Sequence, residues 1–316
     1  MSRLLLFGAT GTIGRAVLAD LLQRGHDVTC VLRANGSIDT TATLRFADVS
    51  NAASLLRDGF QSDHFDAVIS TMASRTGAPR DAWAVDHQAH LNVLTAAQQT
   101  GVKHFILLSA ICVQKPKLAF QHAKLAFEAA LIKSGVTYSI VRPTAYFKSL
   151  SGQVARVKAG KPFLLFGNGA LTSCKPISDR DLARYIVNCL DDATKLNAIL
   201  PVGGPGPAQT PRQQGEHLFA LQQKPQHFRQ VPVALMDTII AGLSVGGRIL
   251  PRLADKAELA RIGRYYATES MLVWDAANQH YDADATPSFG QDRLQDYHAK
   301  LLTGEETLNL GDHAMF

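Results

Sequence analysis

Seven residues near the N-terminus, Gly8-Ala9-Thr10-Gly11-Thr12-Ile13-Gly14, limit what this chain can fold into more than any other stretch. They follow the apolar run Arg3-Leu4-Leu5-Leu6-Phe7 and open a segment of helical periodicity from Ile13 to about Arg24, closed by Gly25. A short apolar run ending in glycine suits a buried parallel strand. The first glycine permits the sharp strand-to-helix turn, the second lets backbone approach a pyrophosphate, and the third lets the helix pack close to the sheet. Free N–H groups at the helix N-terminus, with the positive end of the helix dipole, then face the phosphates. A glycine triplet alone is also a plain turn. With a strand before it and a helix after it, the segment reads as a dinucleotide loop, with Gly8, Thr10, Gly11, Thr12, Ile13 and Gly14 as candidate contacts.

The rest of the first half keeps the same rhythm. Apolar alternation predicts strands at Asp27–Leu32, Thr43–Phe46, Ala67–Ser70, His104–Leu108 and Thr137–Val141, with helices at about Ala52–Asp58, Ala82–Thr100 and Lys117–Ser134. Strand and helix in alternation imply right-handed crossovers, hence an α/β chain with a Rossmann-type doubly wound parallel sheet. After Val141 the pattern loosens. A helix is expected at Asp179–Leu190 behind Ser178, a strand at Ile199–Val202, and helices near Arg212–Leu221, Val233–Ile249 and Arg293–Leu302. The expected division is a nucleotide-binding domain over residues 1–150 and a smaller, mixed substrate-binding part over 151–316, packed on it.

Composition excludes several classes. The 316 residues are 46% hydrophobic and 19% charged with a net charge of +5, and no run of five like charges offers a nucleic-acid surface. The longest apolar stretch, Val231 to Leu250, is interrupted by Pro232, Asp237 and Arg248, whereas a membrane span needs about 20 predominantly apolar residues. Stable membrane insertion is therefore not expected, while peripheral association stays open. From Met1-Ser2-Arg3 leading straight into a strand, no secretory signal is expected. Cys30, Cys112, Cys174 and Cys189 lack metal-ligand spacing. The expectation is a metal-free cytoplasmic enzyme.

The end of the second predicted strand selects the dinucleotide. A carboxylate there would bond the ribose hydroxyls of NAD, whereas Val31-Leu32-Arg33-Ala34-Asn35 offers a guanidinium that matches a 2′-phosphate. The cofactor expected is NADPH. Ser70-Thr71-Met72-Ala73 and Ser109-Ala110 fall at the carboxyl ends of the next strands, where this fold exposes cofactor and substrate, and they make Thr71 and Ser109 candidates.

The glycine spacing resembles that of the short-chain dehydrogenase/reductase superfamily in its extended and atypical branches. That resemblance implies that Asp48 reaches the adenine and that a Tyr-x-x-x-Lys pair sits on the helix after the fifth strand. The chain has Phe120-Gln121-His122-Ala123-Lys124, which keeps the lysine for the nicotinamide ribose and lacks the tyrosine acid. Further on, Tyr138 to Leu150, Gly160-Lys161-Pro162-Phe163, Phe166-Gly167-Asn168-Gly169, Cys174-Lys175-Pro176-Ile177-Ser178, Ile262 to Ala267 and Thr286 to Gly290 closely resemble the divinyl chlorophyllide a 8-vinyl-reductase family. The likeness runs from Gly8 to about Leu302, and the family shares the Phe-Gln-x-Ala-Lys run.

This resemblance implies NADPH-dependent reduction of the C8 vinyl group of a divinyl chlorophyllide or protochlorophyllide to ethyl. The conjugated macrocycle would spread the developing negative charge, so the missing tyrosine is understandable and the protein mainly positions its reactants. Lys124 and Tyr146 are the catalytic candidates, Tyr146 as proton source. Pro143 lies in the strand-end segment that runs beside the nicotinamide in related folds. Tyr146, Phe147, Lys148, Phe166 and Arg264 are the substrate candidates, with Lys148 and Arg264 for a propionate carboxylate. The apolar helix at Val233–Ile249 is a further wall. Two other readings stay open: a non-catalytic NmrA-like NADP sensor, and an isoflavone-reductase-like reductase of a small phenolic.

Overall fold

Leu4, Leu5, Leu6 and Phe7 are each fully buried, as a strand covered on both faces requires. In the computed structural model, which describes residues 1–247 and 250–308, this strand, β1 (Arg3–Phe7), is the centre from which the sheet is wound. The chain passes outward through β2 (Asp27–Leu32) and β3 (Thr43–Phe46), then returns to the other side of β1 with β4 (Ala67–Ser70), β5 (His104–Leu108) and β6 (Thr137–Pro143). A short parallel strand, β7 (Phe163–Phe166), lies outside this sheet. The next, β8 (Ala198–Val202), completes it, and the order is β3-β2-β1-β4-β5-β6-β8, all parallel. The direction of winding therefore reverses between β1 and β4, beside the glycine loop. Ligands of doubly wound sheets bind at such a point.

Each face has its own core. Val17, Leu18 and Leu21 of α1 (Thr12–Gln23) meet Leu182, Ile186 and Val187 of the helix Asp179–Val187 on one side. Phe60, Phe65, Val93, Phe105, Phe127 and Leu131 fill the other. The helix Asp179–Val187 and strand β8 both lie beyond residue 150, so a domain boundary placed there cuts through the sheet. Both were expected as elements, at Asp179–Leu190 and Ile199–Val202, but not as part of this sheet's domain, because two short segments, Phe147–Leu150 and Val154–Lys158, intervene.

Two helices differ from their expected form. The helix begun at Ala52–Ser54 continues as wide π-type turns over Leu55–Phe60. Pro79–Ala82 likewise runs into π turns over Trp83–Ala89 before α-helix resumes at His90–Gln99. A 3.6-residue apolar period cannot announce an i→i+5 turn, which inserts one residue into the spiral. The helix Ala119–Lys133 follows β5.

The remaining chain forms the smaller part. β7 pairs in parallel with β9 (Phe228–Val231), over a core of Val154, Val157, Phe163, Leu165, Leu218, Phe219 and Leu301. Val233–Gly247 and Pro251–Thr268 form a helical hairpin whose first helix buries no residue; Arg248 and Ile249 of the expected Val233–Ile249 helix lie outside the described residues. The second helix was not legible in the sequence. Its inward face carries Glu258, paired with Arg261, among the apolar positions, so no clean stripe marks it. Among the described residues no helix is long and apolar enough to cross a membrane.

Candidate dinucleotide and substrate site

The glycine loop is shaped by close backbone approaches. Gly8 has φ +83°, and the Gly11 N–H donates to its carbonyl at 3.1 Å. A Cβ on Gly14 would stand 2.0 Å from the Gly8 carbonyl oxygen, and one on Gly8 would stand 2.7 Å from the Thr71 backbone. No side chain could occupy either place without moving main chain. Thr71 closes the other wall, its hydroxyl donating to the Phe7 carbonyl at 3.0 Å. Thr10, Gly11 and Thr12 are exposed, whereas the Ile13 side chain belongs to the core below, leaving only its backbone N–H to face a ligand. The first turn of α1 carries no acidic residue, so no carboxylate of its own neutralises the positive end of its dipole. This cradle fits a pyrophosphate.

Arg33 is exposed just past β2, and Asp48 is exposed just past β3. Asp48 accepts hydrogen bonds from the Ser50 hydroxyl at 2.7 Å and the Ser50 N–H at 2.9 Å, which hold its carboxyl below the usual carboxylate range. Ser109 is buried, and its hydroxyl is given to Glu128, which also pairs with Arg142 of β6. Pro143 ends that strand in a buried position.

On Ala119–Lys133, Phe120 and Lys124 share a face. Phe120 is 9% exposed, packed with Ile111, Cys112, Ile262, Tyr265 and Met271. Lys124 reaches past it, its Nζ 2.9 Å from the buried carboxylate of Asp86. Tyr146 is half-buried; burial first, and then the Cys112 thiol, push its phenol well above the usual range, so it stays protonated. Tyr266, missed in the sequence as a functional candidate, places its hydroxyl 4.0 Å from the Cys112 sulfur. Burial, and after it Cys112 and Tyr146, raise that phenol too. Tyr146 and Tyr266 thus both feel the Cys112 thiol. The signal available was the Tyr265-Tyr266 pair, one member of which is turned inward to the Cys112 and Lys115 carbonyls.

The substrate candidates separate. Lys148 extends to Thr12, Nζ to Oγ1 3.1 Å, at the first turn of α1. Arg264 pairs with Asp237 and ties the two helices of the hairpin together. The two cations expected to share a carboxylate thus have different partners. Phe147 is 4% exposed, its ring 5.8 Å from that of Tyr297, which is a core environment. Phe163 is likewise core, and Phe166 is half-buried at the end of β7.

Comparison with known proteins agrees with this fold. The NAD(P)H-binding family model matches residues 8–193, which includes β8's preceding helix and so extends past residue 150. The chain is similar to divinyl chlorophyllide a 8-vinyl-reductase, chloroplastic, of Cucumis sativus, 45% identical with 100% of this chain and 80% of that one covered. The enzyme of the same name from Oryza sativa subsp. indica is 46% identical, with 99% and 82% covered. Among solved structures, AtPrR2 with NADP+ and (+)pinoresinol superposes with a TM-score of 0.70 over 94% of this chain and 98% of that one. At 17% identity that likeness shows the fold alone. With nearly half of its residues identical across its entire length, the chain belongs to the divinyl chlorophyllide a 8-vinyl-reductase family.

Proposed function

We propose that the protein reduces the C8 vinyl group of a divinyl chlorophyllide or protochlorophyllide to ethyl, using NADPH. The observation that carries this reading is the full-length identity to reductases of that name. NADPH, when bound, supplies the hydride. Gly8, Gly11 and Gly14 hold the pyrophosphate against the N–H groups of Thr10, Thr12 and Ile13, and Arg33 pairs with the 2′-phosphate. Asp48 reaches the adenine side. Thr71, Ser109 and Pro143 line the nicotinamide end, and Lys124 holds the ribose hydroxyls.

Tyr146 keeps a proton for the carbon that becomes electron-rich after reduction; its burial keeps that proton on the oxygen at neutral pH. Phe120 excludes water from the helix face where related enzymes place an acid. The conjugated substrate delocalises charge itself, so orientation and dryness are the protein's contribution. Phe166 and the helix Val233–Gly247 flank the pigment. Lys148, at the first turn of α1, serves a cofactor phosphate in this reading, and Arg264, on the hairpin, serves the propionate. The protein works in the cytoplasm, although its relatives are named as chloroplastic, and touches membranes at most peripherally, through exposed Leu235, Ile239 and Val245.

The test is incubation of purified protein with divinyl chlorophyllide a and NADPH alone, followed by chromatography. Appearance of the monovinyl pigment is the expected result. Conversion only after ferredoxin or a flavin is added, or tight NADP+ binding without conversion, would reject the reading in favour of another reductant or of an NADP sensor.

A further inference from the structure

Lys124 is not held by its own helix alone. Asp86 lies 38 residues earlier, in the π turns Trp83–Ala89, and its carboxylate side chain is 0% exposed. The same oxygen that meets Lys124 Nζ at 2.9 Å accepts the Ser74 N–H at 3.2 Å. Its other oxygen, Oδ2, is buried without a hydrogen-bond partner among the described residues. An enclosed carboxylate with an unpaired oxygen is costly unless an opposite charge stays beside it.

The turn that carries Asp86 is fixed by His90. His90 Nδ1 stands 2.8 Å from the Val85 carbonyl and Nε2 stands 2.9 Å from the Ser70 hydroxyl. A carbonyl only accepts, so Nδ1 carries the proton and Nε2 accepts from Ser70. Burial, and after it the Lys124 charge, hold His90 down at about 4, so it remains neutral and offers Asp86 no competing cation. Strand β4 is thereby tied to the π turn on one side while Lys124 is tied to it on the other.

We infer that Asp86 is the positioning residue for Lys124, an inference that rests on the reading of Lys124 as the ribose-holding group. An ammonium has three donors. One goes to Asp86, and the other two are left to point at vicinal hydroxyls of a ribose. Without Asp86 the flexible four-carbon stem samples other rotamers and the ammonium turns to water. The π turns have a use in this scheme: they set Asp86 inward at a point where regular helix would present a different residue.

The experiment is an NADPH titration by fluorescence on the full-length protein, carried out for Asp86→Asn, Lys124→Ala and the double variant, with thermal unfolding of each. Asp86→Asn keeps the shape and removes the charge. It should raise the NADPH Kd roughly ten- to a hundredfold, the range of a charged hydrogen bond, and leave the pigment KM unchanged. In the Lys124→Ala background the same substitution should change Kd less than about twofold, because coupled residues are not additive. Asp86→Glu, which keeps the charge on a longer stem, should recover part of the affinity.

Effects that multiply in the double variant, an unchanged NADPH Kd in Asp86→Asn, or an unchanged Kd in Lys124→Ala would each overturn the inference. If Asp86→Asn fails to fold, Asp86→Glu must still show a raised Kd that disappears in the Lys124→Ala background. The Kd readouts need no pigment. Coupling of Asp86 to Lys124 in a protein that never reduces the vinyl group would therefore reject the proposed function and leave this inference standing.

Discussion

Lys148 Nζ lies 3.1 Å from Thr12 Oγ1, so a side chain just past β6 closes on the first turn of the helix that follows the glycine loop, 136 residues earlier. The ammonium thus stands at the positive end of α1, a place where an anion would be held by both. In the sequence Lys148 was assigned to a propionate; its geometry favours a phosphate. Lys148→Ala should weaken NADPH binding by on the order of tenfold, less than a buried charge pair would, because the site is open to water. A fluorescence titration decides: an unchanged NADPH Kd with a raised pigment KM would return Lys148 to the substrate carboxylate.

Arg33 bears on cofactor choice. It is exposed past β2, with no carboxylate in the Arg33-Ala34-Asn35 tip to serve a free ribose hydroxyl. Arg33→Ala should weaken NADPH by roughly tenfold or more and leave NADH nearly unchanged. Equal losses for both dinucleotides would show that Arg33 does not read the 2′-phosphate.

What was legible in the sequence follows from the range of the interactions. The glycine loop and the six strands up to Val141 are encoded locally, by period and by turn residues, and they appear where expected. Lys124 was found through its offset from Phe120 on one helix face. Asp86 was not, because its pairing depends on a π turn and on a partner 38 residues away, neither of which leaves a periodic trace. Tyr266 was missed for a similar reason: which of two adjacent tyrosines approaches the Cys112 sulfur is decided by how Pro251–Thr268 rotates against Cys112. Arg264 and Lys148 were grouped by chemistry alone, and the fold gives them separate partners.

Three enclosed histidines make stability depend on acid. Burial holds His90, His104 and His298 each at about 4, against an ordinary 6.5. His104 Nε2 faces the Ser139 hydroxyl at 2.9 Å, and that hydroxyl already donates to the Lys195 carbonyl, so the imidazole is the donor. A lowered native value means the unfolded chain takes up protons first as pH falls. Stability is therefore whole above about pH 6.5 and is lost progressively as pH falls from there to about 4. Each histidine should cost about 2 kcal/mol on going from pH 7 to pH 5. Urea unfolding at the two pH values measures this. A midpoint that does not fall by pH 5 would mean that the imidazoles can charge in place.

The glycines of the loop should fail in different ways when substituted. A Cβ on Gly14 would meet the Gly8 carbonyl oxygen at 2.0 Å and the Thr71 hydroxyl at 2.8 Å, and the first of these is backbone that cannot step aside. Gly14→Ala must push α1 away from β1 and β4, so it should lower the melting temperature as well as abolish NADPH binding. Gly11 is different. It has an ordinary φ of −75°, and its nearest neighbour to an added Cβ is the Gly8 carbonyl at 3.5 Å. The free protein has room for Ala there. If Gly11 is present so that a pyrophosphate can approach the backbone, Gly11→Ala should keep the wild-type melting temperature and still lose most NADPH affinity. Calorimetry without ligand, paired with an NADPH titration, separates the two effects. A Gly11→Ala protein that binds NADPH as tightly as the wild type would place the phosphates elsewhere than over this turn.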